Sequence, residues 1–104
     1  MPIGMTLLGL DARWLMVNKA FCQMVGYSEA EIRALSIWEI TYPDDIEADI
    51  LQRKKAVEGV LENYRWEKRI IHKAGHVVRI EVTCTIVRDA SRKPLYFLHH
   101  IVEL

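Results

Sequence analysis

Gly26-Tyr27-Ser28-Glu29-Ala30-Glu31-Ile32, followed by Thr41-Tyr42-Pro43-Asp44-Asp45, decides how the chain is read, because each stretch starts a helix at a chemically legible residue. Ser28 is placed to cap a helix, and Glu31, three residues on, to reach back to the cap: the capping-box spacing. Asp44 and Glu47 repeat that spacing and predict a second, longer helix starting at Asp44 or Asp45. Upstream, Asn18 stands where an N-cap belongs. Phe21, Met24 and Val25 follow at helical spacing, and Gly26 supplies the stop. A short helix is expected from Glu29 to about Leu35 and a single turn from Ser36 to Ile40. In the longer helix, Ile46, Ile50, Leu51 and Val57 are expected to face the core, with Glu47, Arg53, Lys54 and Glu58 on the solvated side. Gly59 ends it.

Outward from this helical block the pattern changes to strand. Met5–Leu10 and Trp14–Val17 flank a turn at Asp11-Ala12-Arg13. On the far side, Tyr64–Lys73 and Val77–Arg88 meet at Lys73-Ala74-Gly75-His76, with Gly at a permissive turn position. A polar loop, Asp89 to Pro94, leads to a last strand, Leu95–Val102. Two strands, several short helices and three long strands predict an α+β layer design, with helices on one face of an antiparallel sheet.

The 104 residues fit one domain. Hydrophobic residues make up 51% of the chain, enough for a folded core, and 14 basic against 14 acidic residues give zero net charge. A chain built to grip nucleic acid carries a basic surplus, so no nucleic-acid partner is expected. Cys22 and Cys84 are distant in sequence and form no metal-like pair, which implies no disulfide framework and fits a reducing cytoplasm. No apolar run approaches the ~18 residues of a membrane span. Met1-Pro2-Ile3-Gly4 lacks the basic start of a signal peptide. No membrane insertion is expected, and a cytoplasmic location is.

An ordered set of words carries a family resemblance along nearly the whole chain. They are Trp14-Leu15-Met16-Val17-Asn18-Lys19-Ala20-Phe21-Cys22, Gly26-Tyr27-Ser28, Pro43-Asp44-Asp45, Tyr64-Arg65-Trp66-Glu67-Lys68-Arg69, Lys73-Ala74-Gly75, Val87-Arg88-Asp89 and Pro94-Leu95-Tyr96-Phe97. The chain resembles PAS domains, most of all those beside diguanylate cyclase or histidine kinase domains in bacteria. The resemblance implies a five-stranded antiparallel sheet with helices packed on one face and a pocket between them. It also implies that residues 1–104 are a single PAS domain excised from a larger multidomain signalling protein. The sequence departs from the family at Ala12, at Tyr42 where a His is usual, at Ala74, at Arg79 and at Arg92-Lys93.

Strand alternation gives the inward face. Val78, Ile80, Val82, Cys84 and Ile86 form one apolar row on the fourth strand, opposite Arg79, Glu81, Thr83 and Thr85. By analogy with the family, Phe97, His99 and Ile101 face inward on the last strand, and Trp66 and Ile70 on the third. The candidate pocket lining is therefore Trp38, Trp66, Ile70, Ile80, Val82, Cys84, Phe97, His99 and Ile101. The resemblance places Ile37 where flavin-binding photosensors carry their reactive Cys, and Ile70, Ile80 and Ile101 where their amides hold the flavin ring. Polar ring atoms buried against isoleucine would each cost roughly 1–3 kcal/mol, so no flavin is expected. Haem-binding members often supply a His from the long helix; here that helix has none, and no haem is expected. No obligatory cofactor is implied, and a small apolar molecule is a fitting ligand.

The other conspicuous residues have plain explanations. His99 reads as a core-edge histidine satisfied by a carbonyl or polar neighbour. His72 and His76 read as exposed turn residues without the further ligands of a metal site. Asp44-Asp45 complements a helix dipole. Glu67, Lys68 and Arg69 read as surface charges whose pairing contributes little. No nucleophile–base ordering, phosphate loop or paired general acid is visible, so no enzyme is expected. The function expected is a sensory or regulatory module that binds a small ligand or dimerises and signals to an attached output domain. The outer sheet face, with Leu98 and Val102 beside Thr83 and Thr85, or a flanking helix, is the expected homodimer contact. The alternatives are a haem- or flavin-dependent redox or gas sensor and a structural dimerisation module with a filled core.

Overall fold

Side-chain alternation on three long strands and glycine or capping residues at the helix ends organise the chain into one sheet and one helical layer. The computed structural model describes residues 2–104; Met1 lies outside the described residues. The elements run β1 (Gly4–Gly9), β2 (Trp14–Val17), α1 (Lys19–Val25), α2 (Glu29–Arg33), α3 (Ile37–Ile40), α4 (Pro43–Val57), β3 (Asn63–Ile71), β4 (Val77–Arg88) and β5 (Pro94–Glu103). The strands form one five-stranded sheet in the order β2-β1-β5-β4-β3, with every neighbouring pair antiparallel. The helices cover one face, as expected of an α+β design. The core lies between layers, built from residues such as Leu8, Phe21, Val25, Ile32, Ile80 and Phe97.

Local chemistry sets the helix boundaries. The Asn18 side-chain oxygen accepts from the backbone N–H of Phe21 at 3.0 Å, capping α1, and from that of Met5 at 3.0 Å, tying the helix start to β1. Gly26 ends α1 in the left-handed region at φ 79°. A side chain there would also collide with the His72 ring, 2.2 Å from an added Cβ. Ser28 and Glu31 form the reciprocal capping box at 3.1 and 2.9 Å. The first turn of the sheet takes Ala12 into positive φ, 67°.

Three sequence expectations are corrected. The long helix begins at Pro43, not at Asp44 or Asp45, and neither acid caps it. Proline suits the first helical position because its missing N–H would be unpaired there anyway. Asp45 instead accepts from the backbone N–H and guanidinium of Arg69 on β3, which holds its carboxyl below the usual range.

The second correction concerns which side of α4 faces in. Asp49 is 1% exposed and Arg53 7%, whereas Ile50 and Leu51 are 48% and 52% exposed and Val57 is exposed too. At 3.6 residues per turn the Asp49, Arg53, Ala56 row lies roughly 75° around the helix from the Ile46, Ile50, Val57 row. The helix is rotated so that the charged row points at the sheet and the apolar row sits at its rim.

The third is Lys68. Its place between Trp66 and Ile70 on the inward side of β3 buries its side chain to 4% exposure, so it is an interior ion partner and not a surface charge. His72, for its part, is only half-exposed, its ring stacked on His76 with centroids 4.3 Å apart.

Candidate functional site

The side chains that meet under α4 come from the helix, from α3 and its C-cap Thr41, and from the inward rows of β1, β3 and β5. Lys68 donates to Asp49 Oδ2 at 2.7 Å and to the Thr41 hydroxyl at 3.0 Å. The Arg53 Nε lies 3.3 Å from Asp49 Oδ1, a pairing by charge without hydrogen-bond alignment, since both atoms lack a hydrogen-bond partner. The Arg53 guanidinium packs over the rings of Phe97 and Trp38, at 5.1 and 5.8 Å from their centroids.

Arg53 Nη1 stands 3.1 Å from His99 Nε2, and His99 Nδ1 stands 3.2 Å from the Thr6 hydroxyl. A guanidinium only donates, so Nε2 accepts. That assigns the ring proton to Nδ1, which donates to Thr6. Burial keeps the pKa of His99 well below its ordinary value, and the nearby Arg53 and Lys68 charges lower it further. Burial likewise lowers that of Lys68; Asp49 opposes the shift and Arg53 adds to it. With neutral His99, the buried cluster holds one carboxylate against two cationic side chains.

Four spaces adjoin this cluster; one, of about 390 Å³, lies on the polar side of Lys68 between Asp45, Glu67, Arg69 and Arg79, and the other three hold candidate lining residues. A cavity of about 370 Å³ opens beside α4, floored by Leu8 and Phe97, walled by Trp38, rimmed by Leu10, Ile50 and Val57, and bounded at its inner end by Arg53. Behind Arg53 lies a space of about 20 Å³, where Ile37, Ile70, Ile80, Ile101, Lys68 and His99 converge. A cleft of about 60 Å³ runs between Trp66, Lys68 and Asp49.

The candidate lining residues therefore divide. Ile70, Ile80, Val82, His99 and Ile101 surround the small inner space; Trp38 and Phe97 line the larger cavity; Trp66 borders the cleft. Cys84 is buried in the core and lines none of these spaces. Arg53, Asp49, Lys68, Thr6 and Thr41 escaped sequence reading. Charge alone drew Arg53 and Lys68 to the surface, although Lys68 shares its parity with Trp66 and Ile70. Asp49 and Arg53 also have the i, i+4 spacing of a helical ion pair. Ile37 is buried at the inner space, beside a polar cluster that the isoleucine pattern did not announce. Among the described residues no group of three or more His, Cys, Asp or Glu is placed to hold a metal ion. Among them, too, no helix is long and apolar enough to cross a membrane.

Comparison with known proteins agrees with the architecture. The family model described as "PAS fold" matches residues 15–99. The chain is 38% identical over 102 residues to the probable diguanylate cyclase DgcE of Escherichia coli (strain K12); the match takes in 98% of this chain but 9% of that protein. The chain thus spans under a tenth of the length of this curated relative. A solved PAS domain from Colwellia psychrerythraea superposes with a TM-score of 0.88 at 22% identity, over 98% of this chain and 86% of the other. The N-terminal domain of a diguanylate cyclase with PAS/PAC sensor from Marinobacter aquaeolei superposes with a TM-score of 0.82 at 16% identity, over 98% and 94%. At those identities the two structures speak for the fold.

Proposed function

The chain belongs to the PAS family of sensory domains, and from that premise we propose that it binds a small ligand beside α4 and passes the change through its sheet to an attached output domain. The output would be of diguanylate cyclase or histidine kinase type. One observation carries the reading. Leu8 pairs with Phe97, and this pair floors the larger cavity; the adjacent pair Leu7 and Leu98 lies on the opposite face of the same two strands. A ligand that shifts β1 against β5 therefore alters the outer face directly.

That outer face carries Leu7, Leu98, Val102 and the exposed Met5 and Met16, next to Thr83 and Thr85. An apolar sheet face of this kind fits a homodimer contact or a docked flanking helix. Ligand binding would favour one of two pre-existing arrangements of this contact. No obligatory flavin or haem belongs to this reading.

Native mass spectrometry and an absorbance spectrum of freshly purified protein test it. A colourless protein carrying a small bound mass supports the proposal; flavin or Soret absorbance overturns it in favour of a redox or gas sensor. Sedimentation of wild type against Leu98→Glu tests the contact, with a dimer expected to become a monomer.

A second reading, a dimerisation module with a filled core, is favoured by the inner space of only about 20 Å³. It predicts the same sedimentation result with no bound mass.

A further inference from the structure

The charge count under α4 and the cavity beside it belong together. Asp49, Arg53 and Lys68 are each more than nine-tenths buried. The neutral His99 supplies an acceptor to Arg53 and no charge. The cluster therefore carries one positive charge more than its own carboxylate balances. A buried charge without compensation is strongly unfavourable. Arg53 bounds both the inner space and the larger cavity; its Nε faces Asp49 Oδ1 at 3.3 Å and its Nη1 faces His99 Nε2 at 3.1 Å, so Nη2 is the nitrogen left to meet a ligand. At the rim, Lys54 and Glu58 oppose each other, so the field reaching the cavity is that of the buried arginine. The walls outward from Arg53 are apolar: Leu8, Phe97, Trp38, Ile50 and Val57.

We propose that this cavity takes an apolar carboxylate, its acid group against Arg53 and its hydrocarbon end along Ile50 and Val57. The proposal rests on the ligand-sensing reading above and adds the chemistry of the ligand. A carboxylate is a bidentate match for a guanidinium, and one such anion brings the cluster to neutrality. The same ligand would cover the apolar row of α4, whose exposure is otherwise unexplained. A cavity of about 370 Å³ is near the small end of ligand sites, which suits a chain of modest length.

The test is titration calorimetry of the purified domain with octanoate, 1-octanol and octylammonium, three probes sharing one hydrocarbon tail. Octanoate is expected to bind one per domain, about tenfold or more tighter than octanol, with no binding of octylammonium. Ile50→Glu, at an exposed rim position, is expected to keep the fold and weaken octanoate several-fold by like-charge repulsion. Arg53→Gln is expected to bring octanoate down to the octanol value; should that variant not fold, the octanoate-to-octanol ratio and Ile50→Glu decide alone. Octanol binding as tightly as octanoate overturns the carboxylate assignment while leaving ligand sensing intact. Binding of none of the three overturns it too, and a co-purified mass of different chemistry would then still support ligand sensing. A dimer that Ile50→Glu dissociates would make the cavity a subunit contact and overturn the proposal.

Discussion

Arg53 Nη1 and His99 Nε2 stand 3.1 Å apart, so the long helix is fastened to the last strand by a charged donor and a neutral acceptor within the protein interior. The bond fixes the rotation of α4. With Asp49 one turn earlier held by Lys68, the helix cannot roll its isoleucines inward without stripping three buried polar groups of their partners.

Charge balance orders the consequences of breaking this cluster. Asp49→Ala leaves Arg53 and Lys68 buried without a counter-charge and is expected to cost about 3–5 kcal/mol. Lys68→Met leaves Asp49 and Arg53 as a balanced pair and is expected to cost less than about 2 kcal/mol. Urea unfolding of both variants measures the order; an equal loss in the two would contradict the count of one excess positive charge.

Acidification is expected to destabilise the domain through His99. Its pKa in the fold lies well below its ordinary 6.5, chiefly because of burial. As pH falls below about 6.5 the unfolded chain takes up a proton that the native ring does not. The unfolded state then binds more protons, so stability is fully present above that pH and declines below it. Asp45, whose pKa is lowered by its Arg69 hydrogen bonds from an ordinary 3.8, contributes a loss only at lower pH. Urea midpoints between about pH 7.5 and pH 5 are expected to fall in wild type and to flatten in His99→Gln.

Gly26 answers two demands at once, a positive φ of 79° and the closeness of the His72 ring. Gly26→Ala is expected to lose about 1–2 kcal/mol from backbone strain and more from the collision. Adding His72→Ala should restore the collision part alone. Thermal unfolding of the single and double variants separates the two; full recovery in the double variant would mean that the backbone conformation is unimportant.

Asn18 joins α1 to β1 with its Oδ1 atom and donates to the carbonyl of Ile3 with its amide nitrogen. Asn18→Ala is expected to cost about 1–2 kcal/mol, and Asn18→Asp less, since the carboxylate keeps the cap acceptor. Amide hydrogen exchange should show faster exchange at Met5 and Phe21 in the alanine variant.

Residue pattern alone gave the five strands and the inward row of β4, while the inward rows of β3 and β5 followed from the family resemblance. Period-two alternation from Val78 to Ile86 fixes which face of β4 points inward, since a slip of one residue would bury Arg79, Glu81 and Thr83. The caps at Asn18, Ser28 and Gly26 were equally readable, being local interactions within a few residues. The packing of α4 was decided by tertiary structure. Its apolar row and its charged row are neighbours on one helix, and only the Lys68 and His99 side chains, arriving from distant strands, make Asp49 and Arg53 the row that can be buried.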